Sequence, residues 1–199
     1  MTVVLKDPLT PRRFKWLIAI VLLVTVVGIP ATLYWALQRS DMHLRWDLEA
    51  RYAQEFYFQS DYAAGLLKGD VTPPTNITIG TASNELAGAT DELYNIEYLD
   101  TSHINTIDRI TTALETLNTQ AAPYSSLDYL QSLNSTQRSF LATQLRLLGH
   151  NIVNAYWNYA NFTDTSPGVG PPFWYSGPSP PDSQLLQDAV NVARGIQRK

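Results

Sequence analysis

Histidine and the carboxylates are the side chains best suited to hold a metal ion or move a proton near neutral pH. The chain has three histidines, His43, His103 and His150. Asp100 precedes His103 by three residues and Glu97 precedes Asp100 by three, so a helix would carry all of them on one face. Such a face can ligate a divalent cation, but helical-bundle metal sites repeat a Glu-x-x-His pattern on facing helices, and this chain does not repeat it. An ordinary solvated face is the expected reading, with no metal and no cofactor. There is no cysteine. That removes disulfides, thiolate nucleophiles, Cys-ligated zinc, iron–sulfur clusters and C-x-x-C-H haem attachment.

Catalytic motifs are equally scarce. The sequence holds no G-x-S-x-G, no H-E-x-x-H, no P-loop and no G-x-G-x-x-G. Gly168-Val169-Gly170 resembles a glycine loop, but Pro171 and Pro172 remove the backbone N–H groups that would cradle a phosphate. The chain is therefore expected not to be an enzyme, with paired carboxylates the remaining route to catalysis. His150, Asn154 and Asn158, spaced by four, form a polar stripe that reads as a solvent face or, alternatively, a hydrogen-bonding surface.

Two further features concern modification and partners. Asn-x-Ser/Thr triplets fall at Asn76, Asn134 and Asn161, about as often as so Asn-, Ser- and Thr-rich a chain would produce them by chance. Asn134 is better placed as a helix cap, whereas Asn76 and Asn161 fall in expected loops and could carry glycans. Phe173-Trp174-Tyr175 follows Pro171-Pro172 and makes a stiff, amphipathic knob. Large aromatics of this kind are enriched at interfaces, so docking to a partner and packing back on the same chain are both open.

Charge narrows the partners. The formal net charge is -4. The tail carries Lys6, Arg12, Arg13 and Lys15 against Asp7 alone, which leaves 17 acids against 10 bases after Leu37. A net acidic domain has the wrong sign for a phosphate backbone, so nucleic acid is not an expected partner.

The elements that must position these groups begin with an anchor. From Trp16 to Gln38 there is no charged residue, and roughly 20 apolar residues at 1.5 Å each cross a hydrocarbon core of about 30 Å. Trp16 stands at one end and Tyr34 and Trp35 at the other, where amphipathic rings favour the headgroup region. Arg12, Arg13 and Lys15 on the N-terminal side predict a cytoplasmic N-terminus. No A-x-A-like cleavage site follows the apolar run, so an uncleaved signal-anchor is expected rather than a removed signal peptide. Pro30 deletes a backbone donor and predicts a kink near Gly28-Ile29-Pro30.

Beyond the anchor the apolar spacing is helical throughout, with no alternating strand pattern. Met42, Trp46, Ala50, Ala53, Tyr57, Ala64 and Leu67 predict a helix over 41–68, continuous with the span and ended by Gly69 and Pro73-Pro74. A second helical region covers about 82–120 with Ile104, Ile107, Ile110, Leu114 and Leu117 on one stripe, and Asp100-Thr101-Ser102 can cap a fresh helix within it. A short lead-in at Leu127, Leu130 and Leu133 precedes the strongest helix, about 135–160. There Asn134 and Gln137 form a capping box. Residues 164–181 form a Pro/Gly loop, and a last helix starts near Asp182.

The expected fold is all-α: a basic cytoplasmic tail (1–14), a transmembrane helix (15–38) and an extracytoplasmic domain (39–199), an antiparallel bundle of about four helices. The expected function is a non-catalytic, single-pass accessory subunit of a larger membrane complex, with an energy-converting (electron-transport) assembly as one setting. Its partners would be other membrane-protein subunits and the lipid bilayer. The alternative is a membrane-tethered ligand-binding, sensing or adhesion module.

Overall fold

The computed structural model describes residues 11–70, 74–119, 126–157 and 180–197. These are almost wholly helical, and among them there is no strand. In chain order the helices are α1 (Pro11–Leu23), a π-helical turn (Val24–Gly28), α2 (Ile29–Lys68), α3 (Asn76–Leu99), α4 (Ile104–Thr119), α5 (Ser126–Ser132), α6 (Ser135–Trp157) and α7 (Ser183–Gln197). The chain divides into two compact units, Met1–Met42 and His43–Lys199.

The first unit contains a helix long and apolar enough to cross a membrane. Among its described side chains from Lys15 to Ser40 none is buried. At the expected kink the backbone widens into the π-helical turn. Pro30 has no N–H to offer, and the Ile29 N–H reaches back five residues to the Val24 carbonyl. Thr32 donates its hydroxyl to the Gly28 carbonyl at 3.0 Å, and the Thr25 hydroxyl bonds the Val21 carbonyl, so the polar groups here are satisfied within the helix. Trp16 and Trp35 are 67% and 61% exposed, and the Arg39 guanidinium lies 5.3 Å over the Trp35 ring.

The second unit is a helical bundle. α7 packs on both α4 and α6, and α3 packs on α4 and α5. Its apolar stripes meet as their spacing requires: Ile107, Ile110, Leu114 and Leu117 of α4, Leu141, Leu145, Leu148 and Ile152 of α6, and Leu186, Ala189, Ala193 and Ile196 of α7 are all buried. Each fully buried large aliphatic contributes about 1.5–3 kcal/mol of transfer free energy. Ile104, the first member of the expected α4 stripe, is exposed.

Capping sets the ends. Asn134 Oδ1 accepts from Gln137 N at 2.9 Å while Gln137 Oε1 accepts from Asn134 N at 3.0 Å, which is the expected capping box of α6. α3 starts at Asn76, earlier than the expected residue 82, because Thr75 and Thr78 exchange the same reciprocal bonds. α2 ends at Gly69, whose φ of 81° only glycine adopts without strain, and the Gly69 and Asp70 N–H groups both reach the Gly65 carbonyl at 3.0 Å. Across the helices, Arg146 of α6 donates to Asp61 at 2.8 Å and to Asp70 at 2.7 Å, drawing the end of α2 onto α6. The Arg146 hydrogen bond holds the Asp70 carboxyl below its usual range.

Small residues let α2 and α6 approach closely. A Cβ added at Gly149 would stand 2.6 Å from Ser60 Oγ and 3.2 Å from Tyr57 Cδ2. Gly149→Ala is accordingly expected to lower unfolding stability by about 1–3 kcal/mol despite its better helix propensity. Adding Ser60→Ala removes the nearer obstacle and should recover part of the loss; denaturant melts of the three proteins check this.

Candidate functional site

The polar centre of the bundle forms where α3 stops. Asp100 leaves the helix with φ −84° and ψ 76°, and its carboxylate turns inward, 4% exposed. An inward carboxylate must find donors or forfeit its hydration. Asp100 Oδ1 accepts the backbone N–H groups of Ser102 (3.1 Å) and His103 (3.0 Å), which shapes the turn that starts α4. Oδ2 accepts the Tyr156 hydroxyl of α6 at 2.8 Å and faces His103 Nδ1 at 2.9 Å.

These contacts decide the histidine's role. The carboxylate accepts on its other sides, so Nδ1–H donates to it, and in the neutral ring Nε2 then carries the lone pair. His103 Nε2 lies 2.9 Å from the Ser183 hydroxyl, the first residue of α7. α7 is fixed there by three further bonds. Asp182 Oδ1 accepts the N–H groups of Gln184 and Leu185 as an N-cap, and the Asp182 N–H donates to the Ala155 carbonyl of α6 at 2.9 Å. The chain thus leaves α6 at Trp157 and returns to the same place at Asp182.

Glu49 of α2 completes the centre, 2% exposed. Its carboxyl is pushed up to about 7, first by burial and then by the neighbouring Asp100 charge, with Arg45 opposing. The Tyr156 hydroxyl is held well above its ordinary value by burial and by Asp100, so it remains a donor. One end of the bundle therefore gathers a protonatable Glu49, an acceptor Asp100, a donor Tyr156, and the His103–Ser183 pair.

The Asp100–His103 pairing foreseen as a shared helical face is instead a turn, with Glu97 elsewhere. The Glu97 carboxyl is raised by burial and by Asp108 and Glu115 of α4. Among the described residues no three His, Cys, Asp or Glu side chains converge in a way that could hold a metal ion. The two described members of the polar stripe are not on a solvent face: His150 and Asn154 are half-buried, and the His150 ring lies 5.0 Å from that of Tyr57. Asn76 is the exposed first residue of α3 rather than a loop residue. Lys15, Trp16, Tyr34 and Trp35 are exposed in the first unit, and Arg12 and Arg13 lie in the first turn of α1. Phe173, Trp174, Tyr175, Asn158 and Asn161 lie outside the described residues.

Glu49, Tyr156 and Ser183 escaped the sequence reading. Glu49 had a signal, since it lies three residues after Trp46 and four before Ala53 on the apolar face of its helix. Tyr156 sat in the α6 stripe but gave no hint that its hydroxyl meets a carboxylate. Ser183 gave none, because its partner is 80 residues away. Comparison with protein-family models, with curated proteins and with solved structures finds no match to this chain.

Two measurements follow from the geometry. Tyr156→Phe deletes a donor to a buried carboxylate and should lower stability by about 1.5–3 kcal/mol at pH 7. The folded state holds the Glu49 proton more tightly than the unfolded chain, whose carboxyl titrates near 4.5. Glu49 protonation therefore favours the fold, and its contribution falls as pH rises from about 4.5 to about 7, then levels. Glu49→Gln should flatten that part of the stability profile and melt higher than the parent at pH 8, by about 2–3 kcal/mol. An unchanged slope in urea melts at pH 5, 6, 7 and 8 would contradict the assignment.

Proposed function

We propose that the chain is a single-pass signal-anchor membrane protein with a cytoplasmic N-terminus. Its helical domain stands on the extracytoplasmic face as an accessory subunit of a larger membrane assembly. The observation that supports this most is the bare apolar helix: its Ile, Val and Leu side chains from Ile18 to Leu37 are about half or more exposed, with no cover from the described chain. Eleven such residues in water would forfeit tens of kcal/mol of transfer free energy, and lipid or partner helices remove that cost. The four bases before the span, against a mixture of both signs just after it, support the orientation. The hetero-complex reading draws on Phe173-Trp174-Tyr175, an aromatic run in the Pro/Gly segment that lies between α6 and α7.

A second reading, a tethered ligand-binding module, has its own support. A cavity of about 210 Å³ lies among α5, α6 and α7, lined by Tyr129, Leu133, Gln137, Phe140, Leu141 and Ile196. That lining suits a small, mainly apolar molecule. A saturable rise in melting temperature with such a compound would favour this reading over the first.

The membrane reading predicts that the full chain stays in the pellet after alkaline carbonate washing and that protease reaches the domain only from the extracytoplasmic side. Recovery in the aqueous fraction would end it. The subunit reading predicts stoichiometric co-purification from gentle detergent, weakened when Phe173, Trp174 and Tyr175 are changed together to Ala; a free monomer in native gels would rule it out.

A further inference from the structure

We infer that Ser183 is an activated nucleophile, with His103 as its general base and Asp100 as the residue that positions the base. The site would accept an acyl group from a small activated ester. This goes beyond the membrane-subunit reading and does not depend on it. The order of contacts is what activation of a hydroxyl requires: Ser183 Oγ to His103 Nε2 at 2.9 Å, then His103 Nδ1 to Asp100 Oδ2 at 2.9 Å. Asp100 is buried and anchored by Tyr156 and two backbone N–H groups, so it fixes both the tautomer and the plane of the ring. Ser183 itself is exposed, so a substrate can reach it.

The chemistry balances without another reagent. Ser183 Oγ attacks the ester carbonyl, forming an O–C bond as its proton passes to His103 Nε2. The ester C–O bond then breaks, and the departing alcohol takes the proton from His103. Water repeats the sequence to free the acid and restore the serine. Asp182 occupies the Gln184 and Leu185 N–H groups, so those amides do not stabilise the oxyanion. Oxyanion donors are worth about 10²–10³ in rate, so slow turnover is expected, with covalent capture as the sharper signal.

The chain supplies an internal control. Ser135 is the first residue of α6, exposed and preceded by the capping Asn134, as Ser183 is the first of α7, preceded by the capping Asp182. What sets Ser183 apart is His103, since His43 packs on Trp46 and His150 on Tyr57. The full chain in detergent should be treated with an alkyl fluorophosphonate, where O–P formation expels fluoride, and the adducts counted by peptide mass spectrometry. Labelling of Ser183 is expected to exceed that of Ser135 by about 10²-fold or more, the range for a general base. Its rate should depend on pH in a way that the Ser135 rate does not. His103→Ala should bring Ser183 down to the Ser135 rate. Asp100→Asn, which permits the other tautomer, should slow Ser183 and alter its pH profile without moving Ser135. Equal labelling of the two serines in the folded parent protein, or none at Ser183, overturns the inference. Because that comparison is made within one parent molecule, a variant that fails to fold does not affect it.

Discussion

A carboxylate turned into a protein interior has to be surrounded by donors, and that requirement organises this bundle. Asp100 draws two from the turn it creates, one from the ring of His103 and one from Tyr156 on α6. His103 extends the chain of bonds to the start of α7. A single side chain thereby ties the α3–α4 turn to α6 directly and to α7 through one relay. Hydrogen bonds to a charged group in a dry setting are stronger than neutral ones, and removing one partner leaves the others exposed to the full desolvation cost.

Glu49 sharpens the constraint. Two carboxylates buried side by side do not both ionise at ordinary cost, so the one with fewer compensations keeps its proton. The bundle thus carries a carboxyl that titrates near neutral pH beside a carboxylate surrounded by donors. Around this polar centre the packing is apolar and fine-grained. Ala50, Ala53, Ala63 and Ala64 of α2 are buried, and Gly149 lets α2 pass close to α6. Close approach of small-residue helices leaves little slack, which is why one added methyl group is felt.

The two units solve opposite problems with the same element. In the bundle a helix buries one stripe and leaves the other to water, so its apolar and polar residues alternate with helical period. In the first unit the apolar residues surround the helix, and among the described side chains from Lys15 to Ser40 none is buried. Its hydroxyls turn back to their own carbonyls, as Thr25 and Thr32 do, and so present few polar groups to an apolar solvent. The π-helical turn before Pro30 accommodates the missing N–H by local backbone adjustment.

What the sequence determined by itself was local. Helix period, the Asn134–Gln137 capping box, the stop at Gly69, the break at Asp100 and the long uncharged run all depend on residues within a turn or two of one another. Their physics is therefore written in adjacent letters. α3 starts earlier than its apolar stripe indicates, with Asn76 in the helix instead of a loop, because Thr75 and Thr78 form a reciprocal cap. Only the tertiary structure decided that Asp100 faces Tyr156, that Glu49 lies beside them, that His150 of α6 packs against Tyr57, and that His103 meets Ser183. Those pairings join residues more than 50 positions apart, and no local rule states which side chain a helix will meet when it packs. Spacing shows which residues share a face; close packing of the whole chain fixes what that face touches.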